Sequence, residues 1–359
     1  MANNLVAEFG RVSKANIAEY IKGAKDETLT SRPLLKLLEK KGKITYGHTG
    51  EYLDWGILKG VQDSTAITDG AELTISRKQP YDRAKLGWFG LQVNDAFTAK
   101  EKLMNAGSST ALIKYVQGLS DYIKKSLRVG IHKGLYLNGE TTANANKMHG
   151  IETWFNAGTA TIPTSGMTAI EGCFGTNTYA GIRLDAVYNS NYYWLPAVMP
   201  DKHAAGAWVN FETSDTMQIL DAAQIESMER NDGKNADCIL MGKVWYRALR
   251  QRVIALENIY VEKSGNGDQA ADVGFKYVEF AGTPVFMESD MPTAPRQGTY
   301  AAYVLQTDEI EYCVLGEDFI RVDIEGDIEA GLFTKLVGYH FGQLKTTSPR
   351  HQVKILDQA

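Results

Sequence analysis

The stretch that decides the fold comprises residues 98–139 and reads TAKEKLMNAGSSTALIKYVQGLSDYIKKSLRVGIHKGLYLNG. Within it, apolar residues recur at spacings of three and four, which is the period of one helix face. They are Leu112, Val116, Leu119, Ile123, Leu127, Ile131 and Leu135. Thr98 with Glu101 fits a capping box, residues 107–109 mark a break or a second start, and Asn138 with Gly139 ends the pattern. The stretch predicts a helix of about 35 Å whose apolar face needs a partner surface.

The residues before this helix, 43–97, show strand and turn patterns with almost no helical period. Residues 44–46 and 52–55 form the outgoing side of a long predicted β-hairpin, 60–70 form a turn-rich tip, and 71–76 and 87–93 return. An isolated two-stranded ribbon is only marginally stable in water, and its edges invite pairing. Two alternatives follow: the ribbon folds back on its own domain, or it lies on a neighbouring subunit.

A short helix is predicted ahead of the hairpin, where residues 31–42 read SRPLLKLLEKKG. Ser31 begins it, Pro33 suits its first turn, and Gly42 ends it. Two to three turns are not stable alone. The leucines of this helix must therefore dock on another part of the fold.

The remaining chain mixes helix and strand patterns, which predicts an α+β fold. Residues 140–212 have a weak period and read as short strands and loops. A helix begins at Ser214 or Asp215 and ends near Arg230, and a buried strand, 236–241, leads into a helix at 244–250. Further strands are predicted within 275–288, 303–305, 310–314 and 332–356. No period of 20–50 residues repeats, which excludes a solenoid.

The composition is that of an ordinary globular protein. The chain has 359 residues, 44% hydrophobic and 23% charged, with a net charge of -5. These values exclude disorder, a collagen-like repeat and a disulfide scaffold. The acidic balance argues against a dedicated nucleic-acid binder but allows a protein that encloses nucleic acid without gripping it. The first residues lack a signal-peptide pattern, and no apolar run reaches 18 residues, so no membrane span is expected.

No catalytic or cofactor motif stands out. Cys173, Cys238 and Cys313 are widely spaced and read as buried, inert thiols. Residues 265–270 match a dinucleotide fingerprint only superficially, because a strand pattern follows them where a helix is needed, so a loop is predicted. The six histidines form no zincin motif, and no nucleophile elbow is present. A hydrolase with a scattered Ser/His/Asp triad stays open as a minor alternative.

Two kinds of charged cluster are candidates for ion contacts. Asp323, Glu325 and Asp327 alternate along a predicted strand, which indicates either a solvated strand face or a divalent-cation site at a subunit contact. The basic clusters are Lys36, Lys40, Lys41 and Lys43, and Lys124, Lys125 and Arg128. They indicate solvated faces, or weak, salt-sensitive and sequence-independent phosphate contacts.

The order of these features resembles the major capsid proteins of tailed bacteriophages, which have the Hong Kong 97-type fold. The resemblance rests on the arm ending in RPLLKLLEKKGK, the long hairpin, the long helix closing on LYLNG, the strand-to-helix unit at 236–249, the hairpin VEFAGTPV and the end YHFGQL with SPR. It covers nearly the whole chain.

The resemblance implies a division of the chain. Residues 1–42 would be the N-terminal arm, and 43–97 an extended loop, the E-loop, lying over a neighbouring subunit. Residues 98–231 would form the peripheral domain with its spine helix, 232–325 the axial domain, and 326–359 return strands of the peripheral domain. The E-loop residues expected at subunit contacts are Tyr52, Trp55, Leu58, Tyr81, Arg83 and Trp88. The spine-helix core would be the apolar stripe from Leu112 to Ile131.

The resemblance also implies a function. The chain would be a structural, non-enzymatic subunit without cofactor that assembles with itself, in pentamers and hexamers, into an icosahedral head around double-stranded DNA. It would reside in the virion capsid and assemble in the bacterial cytoplasm. A separate scaffolding protein, a portal and a decoration protein are the further expected partners. An encapsulin-type compartment of the same fold is the alternative.

Overall fold

The computed structural model describes residues 32–58, 81–98, 109–144, 147–155, 170–171, 178–183, 194, 196–200, 211, 215–255, 278–291, 301–325 and 333–356. The helices, in chain order, are α1 Pro33–Lys40, α2 Ser109–Gly134, α3 Ile151–Trp154, α4 Thr216–Arg230 and α5 Lys243–Ala255. The strands are β1 Ile44–His48, β2 Tyr52–Leu58, β3 Tyr81–Gly87, β4 Phe89–Thr98, β5 Ile170–Glu171, β6 Thr178–Tyr179, β7 Ile182–Arg183, β8 Ala197–Pro200, β9 Cys238–Met241, β10 Val278–Phe280, β11 Thr283–Met287, β12 Ala301–Leu305, β13 Ile310–Leu315, β14 Arg321–Glu325, β15 Phe333–Thr346 and β16 Val353–Leu356. This mixture confirms the α+β prediction.

One sheet is organised around the long strand β15. Strands β13 and β14 pair with successive stretches of β15, both antiparallel, and β1 adds to β13 in parallel. Strand β4 runs antiparallel along β15 over ten residue pairs. Residues 335–339 of β15 pair with both β14 and β4, so these two strands lie on opposite edges of β15.

The predicted long helix is confirmed as α2, and it covers one face of this sheet. Ile123 and Leu127 are fully buried and form a cluster with Val322 of β14 and Leu336 of β15. Gly338 allows this close approach, because a Cβ atom there would lie 2.3 Å from Ile123 Cγ2. Thr98 is the last residue of β4, so the predicted capping box would begin in that strand, and residues 99–108 lie outside the described residues.

The second sheet has seven strands in the order β10-β11-β9-β12-β16-β8-β5. The strand-to-helix unit β9–α5 and the hairpin β10–β11 match the sequence predictions. Helices α4 and α5 pack against this sheet through Leu220 and Trp245, which share an apolar cluster with Ile239 of β9. The predicted loop at 265–270 lies outside the described residues.

Two short connections late in the described chain cross between the two sheets, at positions other than the predicted domain boundaries at 231/232 and 325/326. After β12 a short turn, Thr307–Glu309, leads to β13 in the first sheet, and Pro349–His351 leads from β15 back to β16 in the second. Gln306 and Gln352 join the two crossings: the Gln306 N–H donates to Gln352 Oε1 at 2.9 Å. Residues 310–325, predicted as axial, therefore share a sheet with β15, while β16 belongs with β9 and β12. Hydrophobic patterns identify strands but not their partners, so the sequence could not locate these crossings.

The hairpin predicted over 43–97 is also narrower in the structure. Among the described residues, β2 and β3 form the antiparallel ribbon, from Tyr52 opposite Gly87 to Leu58 opposite Tyr81, and 59–80 lie outside the described residues. The prediction was wrong for its flanking strands, because β1 and β4 belong to the first sheet. Leu91 and Val93 of β4 pack against the cluster beneath α2, which gives that strand a core of its own.

Helix α1 begins at Pro33 and ends before Gly42, as predicted, and Gly42 has a φ of 67°. Its four leucines are all buried. Lys41 pairs with Asp237 at 3.0 Å and with Asp308 at 3.1 Å, and Arg32 pairs with Asp290 at 2.7 Å. Apolar burial and ion pairs at both ends therefore hold α1 on the fold.

Candidate assembly interface

The ribbon of β2 and β3 has one face turned toward its own chain. Leu53, Ile57, Ala84 and Leu86 alternate along the two strands and are all buried in the main apolar core. Alternation with period two is what a strand shows when only one face is covered. The ribbon therefore does not stand alone, since its root is part of the subunit.

Polar contacts fix this root in place. The Lys85 N–H donates to the Ala180 carbonyl at 2.9 Å, in the turn between β6 and β7. The Trp55 ring lies 6.4 Å from that of Tyr179, in the same hairpin. At the end of the ribbon, Trp88 Nε1–H donates to the Gly50 carbonyl at 2.9 Å. These contacts hold the described part of the ribbon on its own chain.

The opposite face of the ribbon is open. Tyr52 is 53% exposed and Tyr81 is 66% exposed, at opposite ends of the described ribbon. Between them, Arg83 forms an ion pair with Asp54 across the two strands. Two large exposed aromatic rings around an ion pair are typical of surfaces that bind another protein, where aromatic residues and arginine are enriched.

The six predicted E-loop residues thus separate into two groups. Tyr52, Tyr81 and Arg83 lie on the open face, whereas Trp55 and Trp88 are half-buried against their own chain. The side chain of Leu58 lies outside the described part of the structure. Tryptophan in a strand pattern does not tell which face it occupies, so the sequence could not separate these groups.

The predicted spine-helix core can be followed in the described part of α2. Ile123, Leu127 and Ile131 are buried and Leu119 is partly buried. The side chains of Leu112 and Val116 lie outside the described residues. The apolar stripe therefore faces the core over the length of helix for which side chains are described.

Of the three predicted carboxylate ligands, Asp323 is the one whose side chain is described. Asp323 accepts hydrogen bonds from the Tyr339 hydroxyl at 2.8 Å and from Arg321 Nε at 3.2 Å. Glu325 ends β14 opposite Lys335, with its side chain outside the described residues, as is all of Asp327. Asp323 therefore serves to order the outer face of the sheet beside Tyr339.

Two clusters with long sequence separations were missed by sequence reasoning. One joins Thr45, His48, Glu311 and Cys313 where β1 meets β13. The other is the ion pairing of Arg32 with Glu288 and Asp290. In each cluster, contacts join residues more than 250 positions apart in sequence, so no local spacing could reveal them.

The described core contains two buried thiols and the buried histidine His340, whose ring nitrogens both have partners. Cys238 and Cys313 are free and buried, as predicted, and Cys173 lies outside the described residues. The His340 Nδ1–H donates to the Phe319 carbonyl, which can only accept, so His340 Nε2 accepts from the Tyr312 hydroxyl at 2.6 Å. Burial lowers the pKa of His340 to about 4, against the opposing effect of the bond to Phe319.

No helix in the described part of the chain combines the length and apolarity that a bilayer crossing requires. No protein-family model matches the chain, and no curated protein matches it.

Solved structures resemble the chain over nearly its full length. A chain from the capsid asymmetric unit of Cyanophage A-1(L) is 14% identical, with a TM-score of 0.60 over 90% of this chain and 92% of that one. A chain from the capsid of a native GTA particle is 13% identical, with a TM-score of 0.52 over 90% of each chain. One from an empty GTA particle is 11% identical, with a TM-score of 0.50 over 92% of this chain and 90% of that one. At these identities the likeness establishes the fold, and the chain therefore has the α+β fold of these capsid subunits, the Hong Kong 97-type fold that its sequence predicts.

Proposed function

We propose that this chain is the major subunit of the icosahedral head of a tailed bacteriophage, a structural and non-enzymatic role. The observation that carries the proposal is the likeness to capsid subunits over nine tenths of both chains. Copies of the chain would form pentamers and hexamers.

The open face of the ribbon is the contact that we assign to a neighbouring subunit. Its inner face is already buried in its own core, so the root is rigid, and Tyr52, Tyr81 and the Arg83–Asp54 pair lie on the face that is left for another chain. A rigid root reduces the entropy lost when the ribbon docks. Each such contact needs only modest strength, because a closed shell repeats it many times.

The enclosed cargo is proposed to be double-stranded DNA, held without sequence-specific contacts. The net charge of -5 favours a wall that does not bind phosphates strongly. A separate scaffolding protein, a portal and a decoration protein complete the proposed set of partners, with assembly in the host cytoplasm. An encapsulin-type shell would carry protein cargo instead, so the content of purified particles distinguishes the two.

The hydrolase alternative finds no support at four of the described histidines. Both ring nitrogens of His340 are engaged by Tyr312 and Phe319. His149 lies 3.9 Å from Glu140, and His351 lies 3.9 Å from Glu309, while His48 bonds to Thr45. None of these contacts pairs a histidine with a serine nucleophile.

The test is a double variant, Tyr52→Ser with Tyr81→Ser, matched by a double variant to Phe that keeps the rings. Both positions are more than half exposed, so both variants should fold, as near-ultraviolet circular dichroism would report. We expect the serine variant to lose most shells in negative-stain electron micrographs and the phenylalanine variant to keep them. If the serine variant formed normal shells, the open face of the ribbon would not be a contact needed for assembly.

A further inference from the structure

Strand β1 contains an irregularity where it joins the first sheet. Thr45 pairs with Cys313 and His48 with Leu315, so three steps along β1 match two along β13. Gly47, inside this bulge, has a φ of 79°, a conformation that glycine adopts readily. Residues three apart in a regular strand point to opposite faces. The bulge instead brings His48 to the side of Thr45, where His48 Nε2 lies 2.8 Å from Thr45 Oγ1.

This arrangement gathers three ligand types of different chemistry. One donor atom each from His48, Glu311 and Cys313 lies within 4.8 Å of the other two. The Thr45 hydroxyl sits among them, 2.7 Å from Glu311 Oε1 and 3.6 Å from Cys313 Sγ. Donors of a tetrahedral zinc ion, with bonds of about 2.0–2.3 Å, are separated by roughly 3.3–3.8 Å. Side-chain movements of about 1 Å would therefore allow the three donor atoms to coordinate one ion.

We propose that His48, Glu311 and Cys313 form a binding site for a thiophilic divalent cation of the Zn²⁺ class. Imidazole nitrogen, carboxylate oxygen and thiolate sulfur are all zinc ligands, and a water molecule would complete four-coordination. The ion would tie β1 to β13, and β1 directly follows α1. It would thereby fasten the chain between the N-terminal helix and the ribbon to the first sheet.

The surrounding charges are compatible with this ion. Glu311 and a Cys313 thiolate supply two negative charges, which match the charge of the cation. Lys345 Nζ lies 2.6 Å from Glu311 Oε2, so Oε1 is the oxygen that turns to the ion. The Lys345 ammonium also lies 5.9 Å from the Trp55 ring centroid, at the root of the ribbon. Its positive charge weakens cation binding, and the two anionic ligands offset that effect.

Binding must release one proton. Burial raises the pKa of the Cys313 thiol to about 11, although its contacts with Thr45 and Lys345 lower it. Without the ion the thiol is therefore protonated at neutral pH, and forming the metal–sulfur bond sends that proton to solvent. Affinity for the ion should therefore rise with pH below the thiol pKa, by about tenfold for each pH unit.

The experiment is a Co²⁺ titration of the full-length chain, followed by competition with Zn²⁺. Cobalt bound to a thiolate gives a near-ultraviolet charge-transfer band, which reports the sulfur ligand directly. We expect one ion per chain and release of one proton. The variant Cys313→Ser should lose the band, and His48→Gln should bind Zn²⁺ at least tenfold more weakly. His48 is only partly buried, so we expect this second variant to fold.

The matched control is Cys238→Ser, which removes the other described buried thiol and should leave the band unchanged. Three results would each overturn the site. They are absence of the band in the unmodified protein, its persistence in Cys313→Ser, and unchanged Zn²⁺ affinity in His48→Gln.

Discussion

The contact between α2 and the first sheet can be tested at a single glycine. In Gly338→Ala the new Cβ would lie 2.3 Å from Ile123 Cγ2 and 3.1 Å from Leu127 Cδ1. Carbon atoms pack at about 3.5–4.0 Å, so the contact with Ile123 is too short by more than 1 Å. Ile123 is fully buried, and a β-branched side chain in a helix has one strongly preferred rotamer. Relief therefore requires α2 to move away from β15.

Overpacking of this kind costs about 1–3 kcal/mol. We expect the free energy of unfolding of the unassembled subunit to fall by that amount, measured by urea unfolding with tryptophan fluorescence. The matched control is Gly90→Ala on β4, whose new Cβ would lie 2.7 Å from the Phe341 ring. Phe341 is 42% exposed and can turn into solvent, so we expect a change within about 0.5 kcal/mol. Equal stability of both variants, or an equal loss in both, would refute the close approach of α2.

Two further predictions concern buried polar groups. In the unfolded chain a histidine protonates near pH 6.5, whereas folded His340 stays neutral down to about pH 4. Between these pH values the unfolded state binds one more proton than the folded state. The free energy of unfolding therefore falls as the pH falls through that interval, by about 3 kcal/mol in total. His340→Gln should remove that part of the pH dependence in urea titrations at pH 4 to 7, and an unchanged profile would contradict the assignment. Lys354 Nζ lies 2.6 Å from Glu152 Oε2 with both groups largely buried, so Lys354→Met should cost about 3–5 kcal/mol, because the carboxylate loses this cation and keeps only the hydrogen bond from the Tyr303 hydroxyl among its described contacts. The double variant with Glu152→Gln should recover much of that loss, and simple additivity of the two changes in a double-mutant cycle would contradict the pairing.

Local periodicity predicted those elements that carry their own pattern. The stripe through Ile123 and Leu127 predicted α2, and the Pro33 and Gly42 signals predicted the bounds of α1. The β9–α5 unit was predictable because a short buried strand and an amphipathic helix follow one another directly. In each case the residues that determine the secondary structure lie close together in sequence, within the element itself or in the one that follows it directly.

Strand partners could not be predicted in the same way. Strands β1 and β4 read as parts of a hairpin, yet β1 pairs with residues beyond 310 and β4 with β15. A strand's alternation is the same whichever strand it joins, so only the folded chain decides between such pairings. One of these long-range pairings, together with the bulge in β1, forms the cluster of Thr45, His48, Glu311 and Cys313. No local sequence motif could therefore predict it.

The central claim is that this chain builds a closed shell from many copies of itself. Sedimentation velocity of the purified full-length chain tests it most directly, because a shell and a small oligomer differ greatly in sedimentation coefficient. The account predicts a boundary of megadalton particles. A chain that sediments only as a monomer or small oligomer at every concentration would contradict it.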